Sequence, residues 1–281
     1  MFYLLNILIQ MKVLLNNTTL IKSLRPFNDI GFVPTMGGLH KGHLSLINKS
    51  KKHCKKTIVS IFINPKQFNN QKDLKSYPRN IQNDLLILKK TKKVDFVYLP
   101  KIKDVYGDNK KSKIKLNKKD KILCAKFRKG HFEGVLDVMT RLTKIVKPNK
   151  IFMGEKDFQQ LYLVKKFFEK KGKIKIISCK TIRDKNKIAL SSRNFLLNKY
   201  SLNIASKIIN KIHNIKKNLK RKKNIFLFLL ERKKEIELKY KIKIEYLELR
   251  SENTLKLSKT INNSRLFIAY YLKNVRLIDN I

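Results

Sequence analysis

The sequence predicts an α/β fold: a parallel sheet with helices on both faces, followed by a smaller α+β C-terminal domain. Three observations predict it. Short apolar runs alternate with segments of helical periodicity up to about residue 183. The runs are apolar along their whole length, as strands covered on both faces are. Beyond that point two long helical patterns are followed by strand-like runs that read as antiparallel, so the expected units are residues 1–182 and 183–281. With 281 residues, 42% of them hydrophobic, the chain is large and apolar enough to build a substantial core.

The elements follow in order. "MKVLLNNTTLIKSL", from Met11, reads as a short strand and then a helix capped by Thr18 or Thr19. Residues 1–10 are apolar but lack a basic leader, a cleavage site and the length to cross a bilayer, so they read as an extension ahead of a natural-looking start at Met11. "IGFVPT" (30–35), "TIVSIFI" (57–63), "VDFVYLP" (94–100), "KIFM" (150–153) and "IKIISC" (174–179) read as buried strands. Between them Ile81, Leu85 and Leu88 share one helix face, as do Val135, Val138, Met139, Leu142 and Ile145. Helices are expected over about 199–220 and 225–239, then strands in "IKIEYLELR" and "RLFIAYYL". Ligands of such sheets bind at the carboxyl ends of the strands.

Sixty-six basic against 20 acidic residues give a formal charge of +46, which taken alone suggests nucleic acid, an anionic membrane or acidic small substrates. The lysines are spread through nearly the whole sequence with many Asn and Ile, which reads as a solvated surface, with no nucleic acid or membrane partner expected. The densest run, "LKRKKN" (219–224), lies between two helical patterns as a basic loop. Cys54, Cys124 and Cys179 are odd in number and far apart, which excludes a disulfide framework or zinc ribbon and fits a reducing cytoplasm.

"FVPTMGGLHKGHLSLI" (32–47) holds two of the five histidines and three of the nine glycines. The strand ends near Pro34 and Thr35, residues 36–39 turn, and a helix begins near Gly42 and His43. Gly37 and Gly38 let the backbone approach a phosphate and offer N–H groups to it. His40 and His43, three apart, can turn their rings to one side and donate to phosphoryl oxygens. Two other readings stay open: half of a metal site, which lacks a third ligand and the usual spacing of four, and histidines that cap the helix.

"PTMGGLHKGHLSLI" resembles the HxGH signature of nucleotidyltransferases and class I aminoacyl-tRNA synthetases, which share a Rossmann-like sheet. In full form it is similar to the pantothenate synthetase (pantoate–β-alanine ligase) family. Further blocks follow in that family's order: "VSIFINPKQF" (59–68), "YPRN" (77–80), "FRKGHFEGV" (127–135), "FMGEKDFQQL" (152–161), "ALSSRNFL" (189–196) and "RLIDNI" (276–281). The resemblance implies an ATP-dependent ligase. In it pantoate carboxylate attacks the α-phosphorus of ATP, pyrophosphate leaves, and β-alanine then takes the acyl group from pantoyl adenylate. It also implies a homodimer.

The resemblance assigns catalysis to His43, His40 and Lys156, with Lys156 on the phosphates. It places ATP against Met36, Gly37, Gly38, Leu39, His40, Lys41, Gly42 and His43, and against Gly154, Glu155, Lys156 and Asp157. Ile182, Leu190, Ser191, Ser192 and Arg193 complete that site as a loop between domains, although Ser191 or Ser192 can equally cap a turn. Asp157 is a hard oxygen ligand suited to Mg2+. Gln67 and Gln160, neutral amides, suit a small hydroxy acid. Asn64 joins them as substrate-binding, with Pro65 shaping the turn below Gln67. Arg128 and His131 stand behind these, His131 orienting the loop. Two departures stand out: Lys66 replaces a small polar residue, and 185–187 replaces an Asp-Gly turn, with Asn186 the residue able to take left-handed φ. Two alternatives remain at this stage, another HxGH adenylyltransferase and a non-catalytic basic RNA-binding protein.

Overall fold

Strands β1 (Lys12–Leu14), β2 (Ile30–Thr35), β3 (Lys56–Ile61), β4 (Phe96–Tyr98), β5 (Lys150–Gly154) and β6 (Lys175–Cys179) pair in parallel in the order β1-β4-β3-β2-β5-β6. They belong to a computed structural model that describes residues 11–108, 112, 114–169, 172 and 174–281; the expected extension at 1–10 lies outside the described residues. Period-two alternation distributes the strand side chains. Phe32, Ile58 and Ile151 enter one core, while their neighbours Val33, Val59 and Phe152 enter another on the opposite face, all with no exposure.

On the first face pack α1 (Asn17–Leu24), α7 (His131–Val146) and α8 (Phe158–Glu169), through Leu20, Val135, Leu142 and Val164. On the second pack α2 (Lys41–His53) and α4 (Ile81–Thr91), through Leu46, Ile47 and Leu88. The cap of α1 corrects the expectation. Asn16, not a threonine, accepts the Thr19 N–H at 2.9 Å, because Asn16 holds the extended backbone a cap requires while Thr19 is already helical. Three helices of four to six residues, α3 (Gln71–Ser76), α5 (Ile102–Tyr106) and α6 (Cys124–Phe127), are too short to carry a period in the sequence.

The chain winds from β2 through β3 toward β4 on one side, and from β5 to β6 on the other, so the order reverses between β2 and β5. A crevice opens at such a reversal, beyond the carboxyl ends of the strands. Met36 and Gly37 follow β2 there, and Glu155, Lys156 and Asp157 follow β5.

The second unit holds α9 (Lys199–Asn218), α10 (Ile225–Tyr240) and an antiparallel sheet of β7 (Lys243–Ser251), β8 (Ser264–Leu272) and β9 (Val275–Asn280). Ala205, Ile208, Ile212 and Ile215 form the buried stripe of α9. The unit leans on the end of β5 and on α8 of the larger one: Phe267 meets Phe158 at 5.9 Å between ring centroids, and Arg265 pairs with Glu155 at 3.1 Å. In the hairpin that crosses between the units, Lys187 takes the left-handed conformation at φ 67°, not Asn186. Asp184 decides this, since its Oδ1 accepts both the Asn186 and Ile188 N–H at 2.9 Å.

Candidate active site

A cleft of about 220 Å³ lies at the reversal between β2 and β5. His40 is the N-cap of α2, and its Nδ1 accepts the Gly42 N–H at 3.1 Å. The His40 N–H in turn donates to His43 Nδ1 at 3.3 Å. A backbone amide can only donate, so both Nδ1 atoms are unprotonated and both neutral rings carry their proton on Nε2. The rings lie 4.1 Å apart between centroids. Burial, with Lys156 adding to it, lowers His40 to about 4; burial, then His40 and Lys156, lower His43 to about 3. The capping reading and the phosphate reading thus describe the same two residues, because capping fixes the tautomer that leaves an N–H donor on the ring's other nitrogen. Gly42 is required beside them, since a Cβ there would stand 2.7 Å from the His40 ring.

The glycine turn corrects the expectation. Gly38 N–H donates to Asp84 Oδ2 at 2.9 Å, Leu39 N–H to Asp84 Oδ1 at 2.8 Å, and Gly37 N–H to Thr35 Oγ1 at 3.2 Å. These amides already have acceptors and are not offered to a phosphate. Gly37, Gly38, Leu39 and Lys41 lie outside the lining of the cleft, whereas Met36, His40, Gly42 and His43 line it. Gly38 needs its missing side chain for another reason: at φ 61° a Cβ would also stand 3.0 Å from Ser192 Cβ.

Asn64, 1% exposed, is fully engaged. Its Oδ1 accepts from Lys66 N–H at 3.2 Å and from the Tyr106 hydroxyl at 2.6 Å, and its Nδ2 donates to Gly134 O at 3.1 Å and Gln67 Oε1 at 3.2 Å. Its amide therefore has no capacity left for substrate. It acts instead on Gln67, taking up Oε1 and leaving Nε2 turned to Met36 and the cleft. The Gln67 carbonyl accepts from His131 Nδ1 at 2.7 Å, so His131 carries its proton there and accepts from Arg128 at 2.9 Å through Nε2. Burial and then Arg128 lower His131 to about 3. His131 thus bridges Arg128 and the Gln67 carbonyl. Lys66 turns away from the cleft to Asp137 at 3.4 Å and the Tyr106 ring at 4.0 Å.

From β5, Gly154, Lys156 and Asp157 line the cleft, with Gln160 from the first turn of α8. Glu155 does not: it pairs with Arg265 at 3.1 Å, and its carbonyl accepts from Asn280. Lys156 Nζ stands 3.5 Å from Asp157. Asp157 sits within the cleft but is 51% exposed to the solvent that enters it. Desolvation raises its carboxyl, and Lys156 and Arg193 outweigh this, holding it below the ordinary carboxylate range.

Ile182, Leu190, Ser191, Ser192 and Arg193 line the cleft from the segment that joins the two units. Their hydrogen bonds are internal. Ser191 caps the turn at Ser192–Leu196, and Ser192 Oγ donates to Gly38 O at 2.9 Å. Arg193 Nη2 donates to both carboxylate oxygens of Asp73, at 2.8 and 3.0 Å. The loop is thus latched to the glycine turn and to α3.

A model of the family described as Pantoate-beta-alanine ligase matches residues 10–281. The chain belongs to the pantoate–β-alanine ligase family. Among its relatives, the pantothenate synthetase of Pseudothermotoga lettingae is 40% identical over 268 residues, 92% of this chain and 93% of that one. That of Ruthia magnifica is 41% identical, covering 90% of each. The pantothenate synthetase of Thermus thermophilus superposes with a TM-score of 0.89 at 27% identity, covering 96% of this chain and 99% of that one. The pantoate-beta-alanine ligase of Francisella tularensis, solved with beta-gamma ATP and β-alanine, gives 0.83 at 37% identity, covering 97% of each chain.

In this ligase, sequence reasoning missed Asp84, Tyr106, Asp73 and the part played by Gly134. A Cβ on Gly134 would lie 2.3 Å from the Lys66 carbonyl and 2.9 Å from Gln67 N, both backbone atoms of the turn that carries Gln67. Gly134→Ala should therefore cost about 1–3 kcal/mol of stability and raise the KM for pantoate severalfold with little change for ATP. Urea unfolding beside steady-state kinetics checks both.

Proposed function

We propose that this cleft adenylates pantoate with ATP and joins the product to β-alanine, giving pantothenate, AMP and pyrophosphate. The chain is an ATP-dependent acid–amine ligase by its family. The observation that carries the residue assignment is the pair of neutral imidazoles, their Nδ1 atoms occupied by backbone amides, beside Lys156 in one cleft.

In this reading the pantoate carboxylate is itself the nucleophile, so the protein supplies positions and fixed dipoles, not a reacting side chain. His40 and His43 donate through Nε2 to phosphate oxygens as pyrophosphate leaves. Lys156 adds a point charge on those oxygens. Gln67, its Nε2 turned inward, and Gln160 hold pantoate as neutral amides, and Gln67 also meets β-alanine. A carboxylate bound by amides stays more nucleophilic than one locked in an ion pair. Leu190, Ser191, Ser192 and Arg193 shield the mixed anhydride from water.

Asp157 fits Mg2+ because it is one ionised, accessible carboxylate, and Mg2+ is commonly held by one or two carboxylates together with substrate phosphates. Among the described residues no cluster of three His, Cys, Asp or Glu could hold a metal by itself, so Asp157 would hold the ion jointly with the nucleotide, where it neutralises phosphate charge. The homodimer and the cytoplasmic setting implied by the resemblance belong to the same proposal; among the described residues no helix is long and apolar enough to cross a membrane.

An adenylyltransferase acting on a phosphorylated acceptor would want cations where Gln67 and Gln160 stand. The test is an omission assay. With ATP, Mg2+, pantoate and β-alanine together, AMP should accumulate, and it should fall to background when pantoate is left out. AMP formation that ignores pantoate overturns the proposal.

A further inference from the structure

Asp84 lies in the first turn of α4, is 1% exposed and is far in sequence from the residues it holds. Each carboxylate oxygen accepts one amide, Oδ2 that of Gly38 at 2.9 Å and Oδ1 that of Leu39 at 2.8 Å. The next amide, that of His40, is the one that pins the His43 ring at 3.3 Å. With the Gly37 N–H on Thr35 Oγ1, four consecutive N–H groups thus point at side-chain acceptors, and the last of the four sets a tautomer in the cleft. The turn leaves its backbone little alternative: Gly37 and Gly38 sit at φ 81° and 61°, and Ser192 ties down the Gly38 carbonyl.

We propose that Asp84 is a positioning residue for adenylation: by holding the amides of Gly38 and Leu39 it fixes the turn that presents His40 and, through the His40 N–H, keeps His43 with its proton on Nε2. This rests on the reading that those two rings serve phosphate transfer. A carboxylate is needed because it alone offers an acceptor at both positions. An asparagine in its place has one oxygen and one NH2 group, so either Gly38 or Leu39 would face a donor. The buried amide that loses its acceptor would draw the turn away from α4.

Asp84→Asn should slow pantoate-dependent pyrophosphate release about 100-fold, the loss that small misplacements of reacting groups produce, with KM for pantoate and β-alanine within about twofold. The 15N resonances of the His40 and His43 rings read the tautomer directly. In the unsubstituted protein both Nδ1 atoms should resonate as unprotonated, and in the variant the His43 signal should move toward a mixture. In the unsubstituted protein the amides of Gly38 and Leu39 should also exchange slowly with deuterium, a measurement that stands whether or not the variant folds. Fast exchange at those amides, a full rate in Asp84→Asn, or a slow variant with unmoved ring resonances each overturns the proposal. A His43→Ala enzyme that still releases pyrophosphate ends the reading of the rings and this inference with it. An inactive His43→Ala enzyme beside an active Asp84→Asn enzyme ends this inference alone.

Discussion

Replacing His43 by alanine should slow pantoate-dependent pyrophosphate release by about 10²–10³-fold, the range seen when one preorganised donor to a developing charge is removed. The ring does two separable things. Nδ1 accepts the His40 N–H at 3.3 Å and helps cap α2, while Nε2 carries the donor assigned to phosphate. Alanine removes both, so it should also lose about 0.5–2 kcal/mol of stability. Asparagine separates them. Its Oδ1 can replace Nδ1 as acceptor, but nothing replaces Nε2, so His43→Asn should recover the lost stability and remain as slow as the alanine variant. A His43→Asn enzyme at full rate would show that the ring only caps the helix. Thermal melts and a pyrophosphate-release assay on the two variants are sufficient.

The lowered values have a consequence for pH. With His40 at about 4 and His43 at about 3, both rings are neutral throughout the physiological range, and neither should produce an acid limb near the ordinary 6.5. A histidine whose folded pKa lies below its unfolded one binds fewer protons when folded. Its contribution to stability is therefore complete above about pH 6.5 and is lost as pH falls toward 4.

What was legible in the sequence is what depends on neighbours along the chain. The pairing of His40 with His43 follows from a spacing of three at a helix start, and the crevice follows from the alternation of strands with helices. The work of Gly38 was misread because its partner is remote: an amide at a glycine turn looks free until Asp84, 46 residues later, folds onto it. Asn64 was misread for the same reason, since two of its four partners, Tyr106 and Gly134, are remote in sequence and are brought to it by α5 and α7. Lys66 looked like a change within the site, and its side chain leaves the site for Asp137. Residue type foretold which atoms can donate or accept, but tertiary packing decided which of those atoms the ligand still finds available.

Lys156 carries the second large prediction. It stands 3.5 Å from Asp157, with its side chain 16% exposed, and is the cation whose field reaches both His40 and His43. Lys156→Met removes a charge-assisted partner of the phosphates and should slow pyrophosphate release by about 10²–10³-fold. It should also leave a signature on pH. A nearby cation favours the neutral imidazole, so removing it raises the pKa of both rings; the same change raises Asp157, whose carboxyl Lys156 helps to keep ionised. Burial, the larger cause for both rings, is untouched, so they stay below 6.5. The acid limb of the residual activity should therefore move to higher pH without reaching that value. Lys156→Arg keeps the charge and should return the limb to its original place. It should recover only part of the rate, because a planar fork does not occupy the position of a compact ammonium. Rate profiles of the three enzymes between pH 3 and 8 decide the matter: a Lys156→Met enzyme with full rate and an unmoved limb would mean that this lysine faces no phosphate.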